Sequence, residues 1–232
     1  MTSNVVFGCT GLVGSNILST LLTCSPATTV TISRRPPKSS GPNLNAIIEA
    51  DTTQWASKLK ELTPTPTTVF SGLGTTRAQA GSIANQWKID HDLNVELARA
   101  AKEAGVRQFV FISSAGTRGL FSSAVPYSRM KQGVEDAIKG LEFETAIIVR
   151  PGFIFGEREV KLQGAAPIGA AIRGLGKVFG QWAQDKLGQE AEVIARAAVH
   201  AARIAKEGKA PAKFWVLEQS DVVRLGRTEW KD

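Results

Sequence analysis

The chain has 232 residues, 43% of them hydrophobic and 21% charged, the proportions of an ordinary globular protein, so disorder is not the default. No run reaches the roughly 18 uninterrupted apolar residues of a membrane-spanning helix, and two cysteines, Cys9 and Cys24, are too few for a disulfide scaffold or a zinc site and point to a reducing compartment. The net charge of +7 is uneven, with 12 basic and 7 acidic side chains in residues 1–130 against 16 and 14 thereafter; this basic first half suits an anionic cofactor or membrane surface, while the lack of basic runs interleaved with aromatics argues against nucleic acid.

Short β-rich runs alternate with longer helical patterns, the arrangement of parallel βαβ units in a Rossmann-type doubly wound α/β sheet with helices on both faces. The first strand, 4–8, opens on Asn4-Val5-Val6-Phe7, so no cleavable leader is expected before it. A helix at 12–24, strands at 28–34 and 45–50, a helix at 53–62 and a strand at 67–72 follow. One long amphipathic helix is predicted over 82–105 from the spacing of Leu93, Leu97, Ala100, Ala101 and Ala104. Beyond it come a strand at 108–113, a helix at 126–140, a strand at 144–150, helices within 164–186 and at 190–207, and a late strand at 213–218. Runs such as Phe109-Val110-Phe111-Ile112 are apolar throughout, as in strands covered on both faces. The whole chain, 1–232, reads as one dinucleotide-binding domain with a small substrate or lid region at roughly 152–190. Within that region, Ala165–Trp182 mixes small residues with Arg173, Lys177, Phe179 and Trp182. It reads as a mobile lid, a membrane-touching surface or a loosely packed helix.

Between the first strand and first helix stands Gly8-Cys9-Thr10-Gly11-Leu12-Val13-Gly14. Its glycines are spaced GxxGxxG, and the strand–turn–helix context gives the motif its meaning. Small residues let the backbone approach a pyrophosphate, and the helix offers unpaired N–H groups and its positive dipole end. Cys9 reads as a small residue filling this corner, with a redox switch as the alternative. At the end of the second strand, where an NAD site places an acid to hold the ribose, the chain has Ser33-Arg34-Arg35. Forked guanidinium donors suit a 2′-phosphate, so the expected cofactor is NADP(H). Asp51 is placed near the adenine edge. Gly72, Leu73, Gly74 and Thr75, after the fourth strand, are placed along the cofactor.

The single tyrosine lies four residues before a lysine, in Tyr127-Ser128-Arg129-Met130-Lys131, so the two share a helix face. Ser113-Ser114 ends the fifth strand. A phenol, titrating near pH ~10, is a poor acid–base group at neutral pH unless positive charge stabilises its anion. Lys131 supplies that charge, and Ser114 can hydrogen-bond a carbonyl oxygen that gains charge in hydride transfer. Tyr127, Lys131 and Ser114 resemble the catalytic constellation of the short-chain dehydrogenase/reductase superfamily. That resemblance assigns Asn94 to the superfamily's helix asparagine, which positions the lysine through water. It also sets Ser113, Tyr127, Lys131, Pro151 and Gly152 beside the cofactor. With 232 residues the chain lacks the large C-terminal lobe of sugar-nucleotide epimerases, which favours the small atypical branch.

Longer strings are more specific: Leu73-Gly74-Thr75-Thr76-Arg77-Ala78, Lys88-Ile89-Asp90-His91-Asp92-Leu93-Asn94, Ser113-Ser114-Ala115-Gly116, Arg150-Pro151-Gly152 and Gly156-Glu157-Arg158. Over nearly the whole chain they resemble the fungal "found in mitochondrial proteome" family, related to the animal Tat-interacting oxidoreductase-like protein. The resemblance implies an atypical short-chain dehydrogenase fold, NADP(H), and peripheral attachment to the cytosolic side of the mitochondrial outer membrane; without it the chain reads as cytoplasmic. Gln132 departs from the glycine that these relatives tend to carry. Asp90, His91 and Asp92 are a poor metal set, because residues two apart on a helix diverge; a helix-surface or interface role is expected for them and no metal site. The function expected is NADPH-dependent oxidation or reduction of a small carbonyl or alcohol. The alternative is a cofactor-loaded sensor or adaptor without turnover.

Overall fold

The computed structural model describes residues 3–119, 122, 125–156 and 187–231. Seven parallel strands form its main sheet: β1 (Ser3–Phe7), β2 (Thr28–Ser33), β3 (Leu44–Ile48), β4 (Thr68–Ser71), β5 (Gln108–Ile112), β6 (Thr145–Val149) and, last in the chain, β9 (Phe214–Leu217). Their order, β3-β2-β1-β4-β5-β6-β9, makes this a Rossmann-type α/β fold. The direction of winding reverses between β1 and β4, which opens a crevice at the carboxyl ends of those strands.

Alternation within each strand divides the core into two layers. Val6, Val110, Ile112, Ile147 and Val149 face one side of the sheet and pack with α1 (Leu12–Cys24) and α7 (Ala191–Lys206). Val5, Phe7, Phe109, Phe111 and Ile148 face the other, against α2 (Trp55–Lys60), α5 (Asn94–Glu103) and α6 (Pro126–Gly140). Strands covered on both faces favour apolar residues, so β5 and β6 read as nearly continuous runs, while β2 also buries Thr29, Thr31 and Ser33. The edge strands β3 and β9 are only partly buried.

The predicted helix over 82–105 is a chain of unequal turns. Ser82 caps α4 (Ile83–Trp87) by accepting from Asn85 N at 3.0 Å, a widened π turn follows at Lys88–Leu93, and α5 continues from Asn94. The cause is local: Asn94 Nδ2 donates to Ile89 O (3.1 Å) and Asp90 O (3.2 Å), taking carbonyls that a regular ladder would use. The expected helix at 53–62 is a 3-10 turn, Thr52–Gln54, running into the short α2.

Elements that hydrophobic periodicity left unassigned are α3 (Arg77–Ala80), the strands β7 (Phe153–Phe155) and β8 (Gly188–Glu190), which pair in a small parallel sheet, and α8 (Gln219–Val223) with a π turn at Arg224–Thr228. Each is too short to display a period. The predicted helix within 164–186, and with it Ala165–Trp182, lies outside the described residues, as do Glu157 and Arg158.

Candidate active site

The glycine turn is built by close approach. Gly8 has φ +76°, a left-handed conformation, and a Cβ there would lie 2.7 Å from the carbonyl carbon of Gly72. A Cβ on Gly14 would overlap Gly8 O, and one on Gly72 would lie 3.1 Å from the Gly14 Cα. Three glycines from β1, α1 and the end of β4 therefore touch backbone to backbone. α1 starts behind Gly11 without a side-chain cap or an acid in its first turn, so the first amides of the helix, from Leu12, Val13 and Gly14, keep their donors for a ligand. This cradle, which any side chain would fill, fits the pyrophosphate of a dinucleotide. Thr10 and Leu12 stand half-buried in the turn, and Val13 is buried. Cys9 is fully buried. Burial pushes its thiol up, partly offset by the hydroxyls of Ser33 and Thr31, as fits a packed corner residue rather than a reactive thiolate.

Arg34 and Arg35 leave the carboxyl end of β2 as exposed side chains, and Ser33 Oγ donates to Arg35 O at 2.8 Å, fixing the backbone turn that carries them. Asp51, beyond β3, caps the 3-10 turn: its Oδ1 accepts from Thr53 N (3.0 Å) and Thr53 Oγ1 (2.8 Å), which holds its carboxyl below the usual range.

Tyr127 sits in the first turn of α6, behind Pro126 at a helix start, and is 38% exposed. One turn on, Lys131 is only 3% exposed. Its Nζ donates to Ile112 O at 3.0 Å and lies 4.6 Å from the centre of the Phe111 ring, so the end of β5 holds the ammonium by a carbonyl and an aromatic face. Ser114, just past β5, is half-buried, its hydroxyl 3.4 Å from Ala115 O. Gln132 Nε2 donates to Thr117 O and, at 2.9 Å, to Ser122 Oγ, so the residue that departs from the relatives' glycine braces the segment after Ser114. Pro151 O accepts from Ala115 N (2.7 Å) and Gly152 N donates to Gln189 Oε1 (2.8 Å), which join the ends of β5, β6 and β8.

Asn94 is fully buried. Besides closing the π turn, its Oδ1 accepts from Ser71 Oγ at 2.6 Å, so its side chain anchors α5 to the end of β4. Ser113 also turns inward: its N–H goes to Val149 O and its hydroxyl donates to Glu135 Oε1 at 2.6 Å.

Two acidic residues were not singled out for this site by sequence. Asp90, expected on a helix surface or interface, is fully buried; its Oδ1 accepts from Thr75 N at 2.6 Å and its Oδ2 from Gln86 Nε2 at 3.3 Å. Burial pushes its carboxyl up, against the pull of the Lys131 charge. His91 and Asp92, paired at 2.8 Å, lie further out, so the three do not converge as metal ligands. Glu135, also fully buried, takes Arg150 (2.6 Å to Nη2, 3.1 Å to Nε), Arg118 (3.1 Å) and Ser113. Burial alone would push Glu135 up; the Arg150 and Ser113 hydrogen bonds, with Arg118, hold it below the usual carboxylate range. Arg150 reaches on to Glu218 at 2.8 Å. The buried face of α6, Met130, Val134 and Ile138, carried a signal for this group: an acid inside an apolar stripe needs a cation.

Residues 4–178 match the model of the NAD dependent epimerase/dehydratase family. Over its full length the chain is 69% identical to all of "Protein FMP52, mitochondrial" of Chaetomium globosum. It is 60% identical to "Protein fmp-52, mitochondrial" of Neurospora crassa, covering 98% of that protein. Among solved structures, "MoeE5 in complex with UDP-glucuronic acid and NAD" superposes with a TM-score of 0.67 at 19% identity, over 94% of this chain and 75% of that one, a likeness of fold.

Proposed function

Because this chain belongs to the mitochondrial FMP52 proteins, within the NAD dependent epimerase/dehydratase family, we propose that it is an NADP(H)-dependent oxidoreductase of the atypical short-chain dehydrogenase type, acting on a small carbonyl or alcohol. The observation that carries this reading is the buried Lys131 ammonium, fixed at the end of β5 one helical turn after the exposed Tyr127. When bound in the glycine cradle, the cofactor supplies a hydride or accepts one. In the reducing direction, the Tyr127 hydroxyl gives its proton to the carbonyl oxygen, and the charge of Lys131 stabilises the phenolate that remains. Ser114 donates a hydrogen bond to the same oxygen. Gln132 holds the Ser114 segment against α6, and Asn94 holds α5 to β4.

Arg34 and Arg35 carry the preference for a 2′-phosphate. Charge-assisted hydrogen bonds contribute about 1.5–3 kcal/mol each. Arg34→Ser or Arg35→Ser alone should therefore weaken NADPH binding by about 10–100-fold and leave NADH binding unchanged. Fluorescence titration of cofactor-stripped protein with both nucleotides reads this directly. Equal affinities in the unaltered protein would remove the NADP(H) assignment, and binding of neither would remove the enzyme reading.

The relatives' names include "mitochondrial"; peripheral attachment to the cytosolic face of the outer membrane is the location proposed here. No helix among the described residues is long and apolar enough to cross a membrane, and a net charge of +7 favours an anionic lipid surface. Co-sedimentation with cardiolipin-containing liposomes is expected at low salt and should be lost as salt screens the charge. No sedimentation at low salt would exclude direct lipid contact.

A further inference from the structure

Asp90 has a buried carboxylate that no step above uses, and its surroundings assign it a partner. Asp90 lies in the π turn at Lys88–Leu93 and is fully buried, while Asp92, two residues on, stays exposed. Widened turns of this kind concentrate at functional sites. Asp90 Oδ1 takes the Thr75 N–H at 2.6 Å, and Gln86 Nε2 bridges Asp90 Oδ2 (3.3 Å) and Thr75 O (3.2 Å). Both polar groups of Thr75's backbone are thereby held, and the segment Gly72–Thr75 is fixed along the crevice.

The charge on Asp90 has a second role. The point that a Cβ of Gly74 would occupy lies 3.9 Å from Asp90 Oδ1 and 3.9 Å from Lys131 Nζ, so the carboxylate and the ammonium both border the open side of this glycine, near one another without a direct ion pair. Lys131 is 3% exposed, and its other neighbours, Ile112 O and the Phe111 ring, carry no net charge. A buried ammonium without a counter-charge is costly. We propose that Asp90 is a positioning residue for Lys131: its carboxylate balances the buried ammonium and holds it beneath Tyr127, while the same oxygens lock the Gly72–Thr75 segment. The catalytic part of this inference rests on the oxidoreductase reading; the pairing of the two charges does not.

A double-mutant cycle with Asp90→Asn and Lys131→Met separates the two. Asparagine retains an oxygen for Thr75 N; it removes the charge and the acceptor of Gln86 Nε2, and the latter loss is common to the single and double variants, so the cycle cancels it. On thermal unfolding, each single variant leaves one buried charge uncompensated and should lower Tm by about 5 °C. The double variant should regain most of that loss, because it buries neither charge. Additive losses would overturn the pairing, whether or not the protein turns over a substrate. In NADPH oxidation with 9,10-phenanthrenequinone as the carbonyl probe, Asp90→Asn should lower kcat at least tenfold, and the double variant should be no slower than Lys131→Met alone. Multiplying losses in kcat would show Asp90 acting apart from Lys131 and overturn its positioning role. If the unaltered protein reduces neither this probe nor a panel of aldehydes and ketones, the oxidoreductase reading fails, and the Tm cycle alone decides whether the charges are paired.

Discussion

Replacing Tyr127 by phenylalanine is expected to lower kcat for NADPH-dependent reduction of a carbonyl by about 10²–10⁴-fold, the range that a positioned general acid contributes. The substitution removes one oxygen and leaves the ring. Tyr127 occupies the first turn of α6, whereas the glycine cradle and the two arginines belong to other elements. NADPH affinity and Tm should therefore stay close to those of the unaltered protein. Stopped-flow measurement with a single enzyme concentration of NADPH isolates the chemical step from product release. Undiminished turnover in Tyr127→Phe would remove the proton-transfer role, and a parallel loss of NADPH binding would make Tyr127 a cofactor contact rather than an acid.

The largest effect on stability is expected at Glu135. It is fully buried, and Arg150, with a side chain only 13% exposed, depends on it for two hydrogen bonds. Glu135→Gln keeps one acceptor oxygen but leaves that guanidinium with Glu218, whose side chain is 50% exposed, as its remaining carboxylate. Removing one partner of a buried pair costs about 3–5 kcal/mol, which for a chain of this size is a fall in Tm on the order of 10 °C. Ser113→Ala, which deletes a single hydroxyl donor from the same carboxylate, should cost less, about 1.5–3 kcal/mol. The pH dependence follows from the sign of the shift. Glu135 is held below its ordinary value in the folded protein, so its contribution is present above the unfolded-state pKa, about 4.3. It is lost as pH falls through the lower, folded value. Tm measured from pH 7 down to pH 3 should fall less steeply in Glu135→Gln than in the unaltered protein, because the variant has already lost this term. Equal acid slopes would show that Glu135 does not carry it.

The Glu135 group also places the end of β6 with respect to α6, which carries Tyr127 and Lys131. Arg150 follows β6 directly, and Arg118 lies in the segment after β5. A destabilised cluster would therefore loosen Ser114 and Lys131 together, so kcat in Glu135→Gln should be interpreted alongside its Tm.

How much of this was legible in the chain differs from element to element. The helix predicted at 12–24 is α1 to the residue, and that at 126–140 is α6, because glycine before one and proline at the start of the other mark their first turns. Most of the parallel strands were legible as largely apolar runs, since burial on both faces favours hydrophobic side chains, although β2 buries the hydroxyls of Thr29, Thr31 and Ser33. The glycine turn was legible too, because close backbone contact excludes every side chain and leaves glycine as the only answer. The structure adds the partner in that contact, Gly72 from β4, which no spacing rule connects to Gly8 and Gly14.

Asp90 was grouped with His91 and Asp92 on a helix surface or interface because of its charge. The count of residues points the other way: Leu93 and Leu97, three and seven positions on, share its helix face, and Asp90 is buried with them. The π turn that carries it is held by Asn94, which takes two backbone carbonyls, and by Ser71, 23 residues earlier in the chain, which fixes the Asn94 amide. Glu135 is different: its place on the apolar stripe of α6 was visible, but its cations, Arg118 and Arg150, come from loops that only the folded sheet brings beside it.

The sequence by itself determined the parallel sheet, the glycine turn, the paired arginines after β2 and the tyrosine–lysine spacing, because each follows from interactions between residues near in the chain or from burial that leaves one type of residue acceptable. Only the tertiary structure decided where the buried charges lie, Asp90 and Lys131 both beside Gly74 and Glu135 between two arginines. A buried charge is tolerated according to what stands opposite it, and here the opposite groups come from segments that are distant in sequence.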